Sequence, residues 1–182
     1  MGRKRVIDRD QLLEAAYRVI SGQGATGLSF DAIAKEAGVS KGGVVYAFSS
    51  KEELIEAMLS KAQAAYSAAI ETVIGDPGAC LVDKALAHVD ATAAEDLANA
   101  TRVIALLAAL ANAPGYQQRL KDWYLQIFDI HELSGETDRR ARLAMFAAEG
   151  AFMMRGYGLV TFDEQQWLDF FNDIHRLLLR VN

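Results

Sequence analysis

Hydrophobic positions recur every three or four residues along nearly the whole chain, and no stretch shows the two-residue alternation of a half-buried strand. Leu12, Ala16, Val19 and Ile20 share one face of a segment running roughly from Asp10 to Ser21, with Leu13 beside them. "GQGATG", Gly22 to Gly27, interrupts it. Ser29 then caps a short segment, Phe30 to Ala37, whose Phe30, Ile33, Ala34 and Ala37 point inward. Gly38 is suited to a positive φ and ends that helix, and Ser40 opens a third that closes near Phe48. Ser50 followed by Glu53 reads as a capping box, with Ser49 and Glu52 as an alternative register, at the head of a long helix over about Lys51 to Ile74. Further helices are expected over about Ala79–Ala94, Leu97–Asn112, Gly115–Leu133, Thr137–Val160 and Asp163–Val181, separated by "GDPG", "NAPG", "SGET" and "TFD". The pattern predicts an all-α protein, with a three-helix amino-terminal unit over residues 1–50 and a larger helical body over 51–182.

Composition agrees with this. Alanine and leucine are abundant and prolines number only 2, which favours helices, and 52% hydrophobic residues suffice for a sizeable core. The single cysteine excludes an internal disulfide and fits a reducing, cytoplasmic setting. "MGRKRVIDRD" has charge but no apolar run behind it, so it reads as neither signal peptide nor anchor. The longest apolar run, Val103 to Ala111, is too short to span a bilayer, and no membrane partner is expected.

Charge changes the picture more. The net charge is −5, which by itself argues against a polyanionic partner. Residues 1–51, however, hold eight Lys and Arg against five acids, and the remainder holds eleven against nineteen. A basic amino-terminal piece sits on an acidic body, so a polyanion is expected to meet the first piece alone.

Two short helices joined by a tight glycine turn, the second capped by serine, form the helix-turn-helix pattern, in which the second helix enters the DNA major groove. In "SKGGVVYAF", Ser40 to Phe48, Val44 and Phe48 fall on one side of the helix. At about 100° per residue the opposite side carries Tyr46, with Gly42 and Gly43 to either side of it. Each glycine inside a helix costs about 1 kcal/mol relative to alanine. Both are therefore expected on the outer face, where a missing side chain lets backbone approach DNA, with Lys41 and Val45 flanking.

The run "LSFDAIAKEAGVSKGGVVYAFSSKEELIEAML", Leu28 to Leu59, resembles the DNA-binding region of the tetracycline-repressor (TetR) family of transcriptional regulators, and the likeness extends back through the first helix. The resemblance implies that Ser29 contacts phosphate and that Ser40, Lys41, Gly42, Gly43, Val45 and Tyr46 form the recognition surface. Lys51, at the start of the fourth helix, would contact phosphate with help from that helix's positive end. Arg3, Lys4 and Arg5 would form a basic arm along the backbone or in the minor groove. Family members often carry Thr or Ser at Gly43, an aromatic at Val45 and His or Tyr at Ala47; the small residues here shift expected specificity toward a thymine methyl at Val45, DNA shape and the arm. The family also implies a homodimer on near-palindromic operator DNA, released when a small molecule occupies the carboxy-terminal body.

Physical reasoning about that body gives two expectations. The last helices carry more large apolar residues than one core-facing stripe needs, so Phe152, Trp167, Phe170, Phe171, Ile174 and Leu178 are expected between subunits, in a four-helix bundle. The middle helices are expected to enclose an apolar or amphipathic ligand among Tyr66, Arg102, Leu106, Trp123, Phe128, Phe146, Glu149 and Met153.

Other chemistry finds no carrier in the sequence. "GQGATG" matches GxGxxG, but it joins two helices where a dinucleotide site requires a preceding strand. His88, His131 and His175 lack metal-ligand spacing, and Cys80 stands alone near a helix start. No nucleophile elbow or Walker motif occurs, so no enzyme activity, metal or cofactor is expected. The alternative to a DNA-binding regulator is a helical small-molecule binding protein whose DNA-binding module is vestigial.

Overall fold

The computed structural model describes residues 8–76, 78–110, 115–127, 133 and 135–179, and every regular element within them is helical. The chain runs α1 (Arg9–Gln23), α2 (Phe30–Ala37), α3 (Lys41–Ala47), α4 (Lys51–Ile74), α5 (Leu81–Ala93), α6 (Leu97–Leu110), α7 (Tyr116–Ile127), α8 (Glu136–Gly156) and α9 (Glu164–Ile174). A 3-10 turn occupies Ala25–Gly27, and a π-helical turn at His175–Leu179 continues α9. The expected helices are present, with ends displaced by a few residues. The helix expected to reach Val160 stops at Gly156, and the last one widens after Ile174 instead of continuing as a regular α-helix. No described helix is long and apolar enough to cross a membrane.

Side chains fix the helix starts. Asp8 accepts the Asp10 N–H at 2.9 Å. Asp163 and Gln166 form a reciprocal capping box at α9. At α4 the Ser50 register holds, because the Glu53 N–H donates to Ser50 Oγ at 3.0 Å. Glu53 reaches one residue further back than that box requires, accepting the Ser49 N–H and hydroxyl at 2.7 Å each.

Two apolar cores form. The first lies beneath α1–α3, around Leu12, Ile33, Val44 and Phe48, and takes in Leu54, Met58 and Leu59 of α4 with Leu106 and Leu110 of α6. The second is built between α5, α8 and α9 around Val89, Met145, Trp167 and Phe171. The Tyr17 hydroxyl donates to the Met58 carbonyl, and Lys61 bridges Asp10 and Glu14 at 3.2 and 3.0 Å. Arg9 pairs with Glu53 at 3.1 Å while lying over the Phe48 ring. Exposed ion pairs of this sort stabilise little individually. They fix how α1 lies along α4, and the buried apolar contacts supply most of the cohesion.

The inner face of α8 sets the small residues Ala141, Ala144, Ala148 and Ala151 around the fully buried Met145, so much of its backbone lies close to its neighbours. The approach is tightest at the end. A Cβ on Gly156 would stand 2.5 Å from Ile104 Cγ1 and 2.9 Å from the Ala100 carbonyl oxygen of α6. The carbonyl is backbone and cannot swing away. Gly156→Ala is therefore expected to lower stability by about 1–3 kcal/mol in urea unfolding, as overpacking does. Gly22→Ala, where the added methyl meets open space, should stay within about 0.5 kcal/mol of wild type.

Candidate functional site

The first site is the surface of α2 and α3. Ser29 Oγ accepts the Ala32 N–H at 3.2 Å, which starts α2. Gly38 ends it in the left-handed conformation, φ 66°, and the Val39 N–H closes on the Ala34 carbonyl at 3.0 Å. Ser40 Oγ then accepts the Gly43 N–H at 3.2 Å and starts α3. Caps and turn thus fix α3 against α2, and the fully buried Val44 and Phe48 anchor its inner face.

The outer face is polar and aromatic. Tyr46 is 87% exposed, Val45 is exposed beside it, and Lys51 is exposed at the first turn of α4. Lys41 reaches across to Asp31 of α2 at 2.8 Å, with both side chains largely in water. Such a pair is weak and open to exchange for a phosphate. Gly42 lies on this face with its Cβ direction clear of everything nearer than Ser40 Oγ at 3.9 Å. Gly43 does not join it. Gly43 is buried next to Val44, and its N–H donates to the Ser40 cap. The expectation of two outward glycines is corrected to one. Arg3, Lys4 and Arg5 lie outside the described residues.

The second site is a small cavity between α4, α6, α7 and α8, with about 70 Å³ of space open to the centre of a water-sized sphere. From α4 it takes Leu59, Ala62, Gln63 and Tyr66, and from α6 Asn99, Val103 and Leu107. Leu120, Trp123 and Tyr124 of α7, with Glu149 and Phe152 of α8, close the far side, and Thr92 and Glu95 complete it. Tyr66 and Trp123 meet edge to face at 5.9 Å, as do Trp123 and Tyr124 at 5.0 Å. Polar atoms are tied in behind the rings. Tyr66 bonds to His88 Nδ1, Tyr124 donates to Glu149, and Trp123 Nε1 donates to Ser67 at 3.3 Å.

Burial sets the charge states here. It pushes Glu149 above the usual carboxylate range, against the opposing bond from Tyr124, and it raises Tyr66 and Tyr124. It also pushes His88 down to about 4, with a hydrogen bond to the Met145 backbone as a smaller opposing effect. His88 Nε2 comes within 3.9 Å of Glu149, but an imidazole that is neutral at pH 7 makes no ion pair there.

Of the expected ligand-site residues, Tyr66, Trp123 and Glu149 line this cavity. Phe146 and Met153 line a separate open groove between α7 and α8, almost wholly apolar, that shares Tyr124 and Glu149 with the cavity. Two expectations are corrected. Arg102 lies over the Tyr17 ring, 5.2 Å from its centroid, and Leu106 is buried in the first core. Phe128 lies outside the described residues. The expected subunit-interface residues also move: Phe152 faces the cavity, Trp167, Phe171 and Ile174 are buried within the subunit, and Phe170 and Leu178 pack on the same core. Their helix turns toward α5 and α8, where Trp167 Nε1 donates to the Ala93 carbonyl at 2.9 Å. Sequence reasoning missed Leu59, Gln63 and Tyr124. Three- and four-residue steps back from Tyr66 reach Gln63 and then Leu59, but Tyr124 is adjacent to Trp123 and this spacing does not find it.

Residues 12–58 match the family of bacterial regulatory proteins called tetR, and residues 83–179 match the tetracyclin repressor-like carboxy-terminal domain. No curated protein sequence matches the chain. Among solved structures, the fold is similar to a transcriptional regulator from Rhodococcus sp. Rha1, at TM-score 0.69 and 21% identity over 94% of this chain and 96% of that one. GusR of Salmonella enterica is similar at TM-score 0.61 and 19% identity, covering 97% of each chain. The multidrug binding protein EbrR complexed with ethidium is similar at TM-score 0.61 and 20% identity, over 91% of this chain and 96% of that one. At these identities the likeness is one of fold.

The depressed His88 pKa has a measurable consequence. The unfolded ring takes up a proton near pH 6.5 while the folded one resists until about 4. That contribution to stability is present above pH 6.5 and is lost as pH falls toward 4, by about 3 kcal/mol in all. Glu149, with its raised pKa, works in the opposite direction. Comparing urea unfolding of wild type and His88→Gln across pH 4–7 separates the two: wild type should lose more stability on acidification than the variant.

Proposed function

The chain belongs to the tetR family of bacterial regulatory proteins, and from that premise we propose that it is a homodimeric repressor that binds operator DNA through α3 and leaves it when a small apolar or amphipathic molecule fills the cavity. It acts in the cytoplasm as a binding protein without enzymatic activity, and its DNA-binding part divides from the ligand-binding body near residues 50 and 51. The observation that carries the reading is the α3 surface: a helix capped and anchored on one side presents an 87% exposed Tyr46 beside a glycine that leaves its own backbone open. A protein with no surface to meet there gains nothing by exposing a tyrosine or by placing a helix-weakening glycine next to it. That EbrR is a multidrug binding protein captured with ethidium and malachite green supports a ligand role for the body of this fold.

Dimerisation is supported by the outer face of α8. Leu143, Phe146, Met154 and Tyr157 are all exposed and fall on one stripe at helical spacing, opposite the alanine face. Gly150 lies on the same stripe with nothing within 4 Å of its Cβ direction, which suits a close helix crossing. A contiguous apolar stripe on the surface, unlike scattered single residues, is the kind of feature that marks an interaction site. Two copies joined there would each carry one α3, and near-palindromic DNA requires these about 34–36 Å apart. Leu59 links the two sites, because it belongs to the core under α1–α3 and also lines the cavity. A ligand that displaces α4 at Leu59 therefore changes where α3 sits relative to its twin.

Operator selection followed by fluorescence anisotropy tests the DNA reading. Gly42→Leu should keep the fold and weaken operator binding by about tenfold or more, in the range of 1–3 kcal/mol for a lost groove contact. Lys41→Ala should weaken binding to all sequences and lower the salt slope by about one per half-site. A folded Gly42→Leu protein with wild-type operator affinity would falsify the assignment of α3. Light scattering tests the dimer: wild type should run at twice its chain mass of 19.9 kDa, and Leu143→Glu should run at that mass alone.

A further inference from the structure

The cavity walls are specific about charge. Among the described lining residues the charged side chains are Glu95 and Glu149, and no lysine or arginine joins them. The arginines on neighbouring turns are engaged elsewhere: Arg102 lies over Tyr17, and Arg155 lies over Trp167 at 4.1 Å and donates to the Glu95 carbonyl at 3.0 Å. Lys121 lines the outer groove, not the cavity. The remaining walls are aromatic, with Tyr66, Trp123 and Tyr124 set edge to face so that successive ring planes turn around the space.

Each wall favours the same ligand. Ring faces attract a cation through their quadrupole, most strongly where water is excluded. A carboxylate with an exposure of 19% in such a space is poorly solvated, and a cation beside it would make its ionised form favourable. An anion would meet two carboxylates with no compensating base. A neutral apolar molecule would occupy the space but give the Glu149 carboxyl no opposite charge beside the Tyr124 hydroxyl it already accepts from.

Building on the regulator reading, we propose that the cavity takes an organic monocation with an aromatic or bulky apolar body, its positive centre held against Glu149 and boxed by the rings of Tyr66, Trp123 and Tyr124. Glu149 is reached from the cavity and from the outer groove alike, so the charge is met at the junction of the two spaces. Leu59, Val103 and Leu107 at the other end are apolar and suit the uncharged part.

Three probes of nearly one shape separate charge from fit: benzyltrimethylammonium, its neutral isostere neopentylbenzene and the anion phenylmethanesulfonate. In calorimetric titration of the full-length protein, the cation should bind about tenfold or more tightly than the neutral isostere, and the anion most weakly. Glu149→Gln keeps an acceptor for the Tyr124 hydroxyl and should abolish the preference for the cation by weakening the cation about tenfold or more. The wild-type comparison stands even if that variant folds poorly. The proposal is overturned if the neutral or anionic probe binds as tightly as the cation, if a folded Glu149→Gln keeps the preference, or if none of the three binds at millimolar concentration. Operator anisotropy on the same samples keeps the two readings apart. Cation binding without DNA release supports the cation site and overturns the ligand-released repressor. DNA release by neutral or anionic compounds alone does the reverse.

Discussion

Helix α4 has to be covered twice, and the rest of the molecule follows from that. Its first turns complete the core beneath α1–α3 through Leu54, Met58 and Leu59, and its next turns form a wall of the cavity through Ala62, Gln63 and Tyr66. Leu59 belongs to both. Because a packed interior is close to solid density, a side chain shared in this way cannot be moved on one side without being felt on the other. The pairs that lie along α1 and α4, from Lys61 to Asp10 and Glu14 and from Arg9 to Glu53, sit on the surface and contribute little energy. They act as register marks that keep α1 aligned with α4.

The body is packed unevenly. Where α5 and α8 meet, alanines bring the backbones together, and at Gly156 no side chain at all is tolerated against α6. Around the cavity, by contrast, aromatic rings and hydrogen-bonded polar groups stand in for tight apolar packing. Burying His88 as a neutral ring and Glu149 above its usual range costs stability that an apolar core would have kept. The cost falls on the walls a ligand would touch, and it leaves a space whose charge balance a guest is able to complete.

Much of this is legible in the sequence because it is local. Serine caps at residues 29, 40 and 50, the left-handed Gly38 and the spacing of Leu12, Ala16 and Val19 each fix a helix by contacts within a turn or two, and these expectations hold in the structure. What periodicity leaves open is which partner a face meets. Trp167, Phe171 and Ile174 form a fine apolar stripe, and a stripe alone does not distinguish a neighbouring helix of the same chain from a second copy. Here α5 and α8 claim it, and the face left in water is the other side of α8, at Leu143, Phe146, Met154 and Tyr157. Arg102 fails as a cavity residue for the same reason: its helix is right, but the ring of Tyr17 from α1 captures the guanidinium, and nothing in the sequence around either residue announces the meeting.

The two glycines of α3 show how far a helical wheel can be pushed. On the wheel both lie on the side away from Val44, and both read as bare backbone for a groove to approach. In this helix of seven residues the buried side takes in Gly43 as well as Val44. The pair then divides into two different constraints. Gly43 is buried and belongs to the inner side of α3 with Val44. Gly42 is part of what α3 presents, between the Ser40 cap and the exposed Tyr46. A substitution at either position can abolish DNA binding, but one acts by moving the helix and the other by coating it. Stability measured alongside affinity tells them apart.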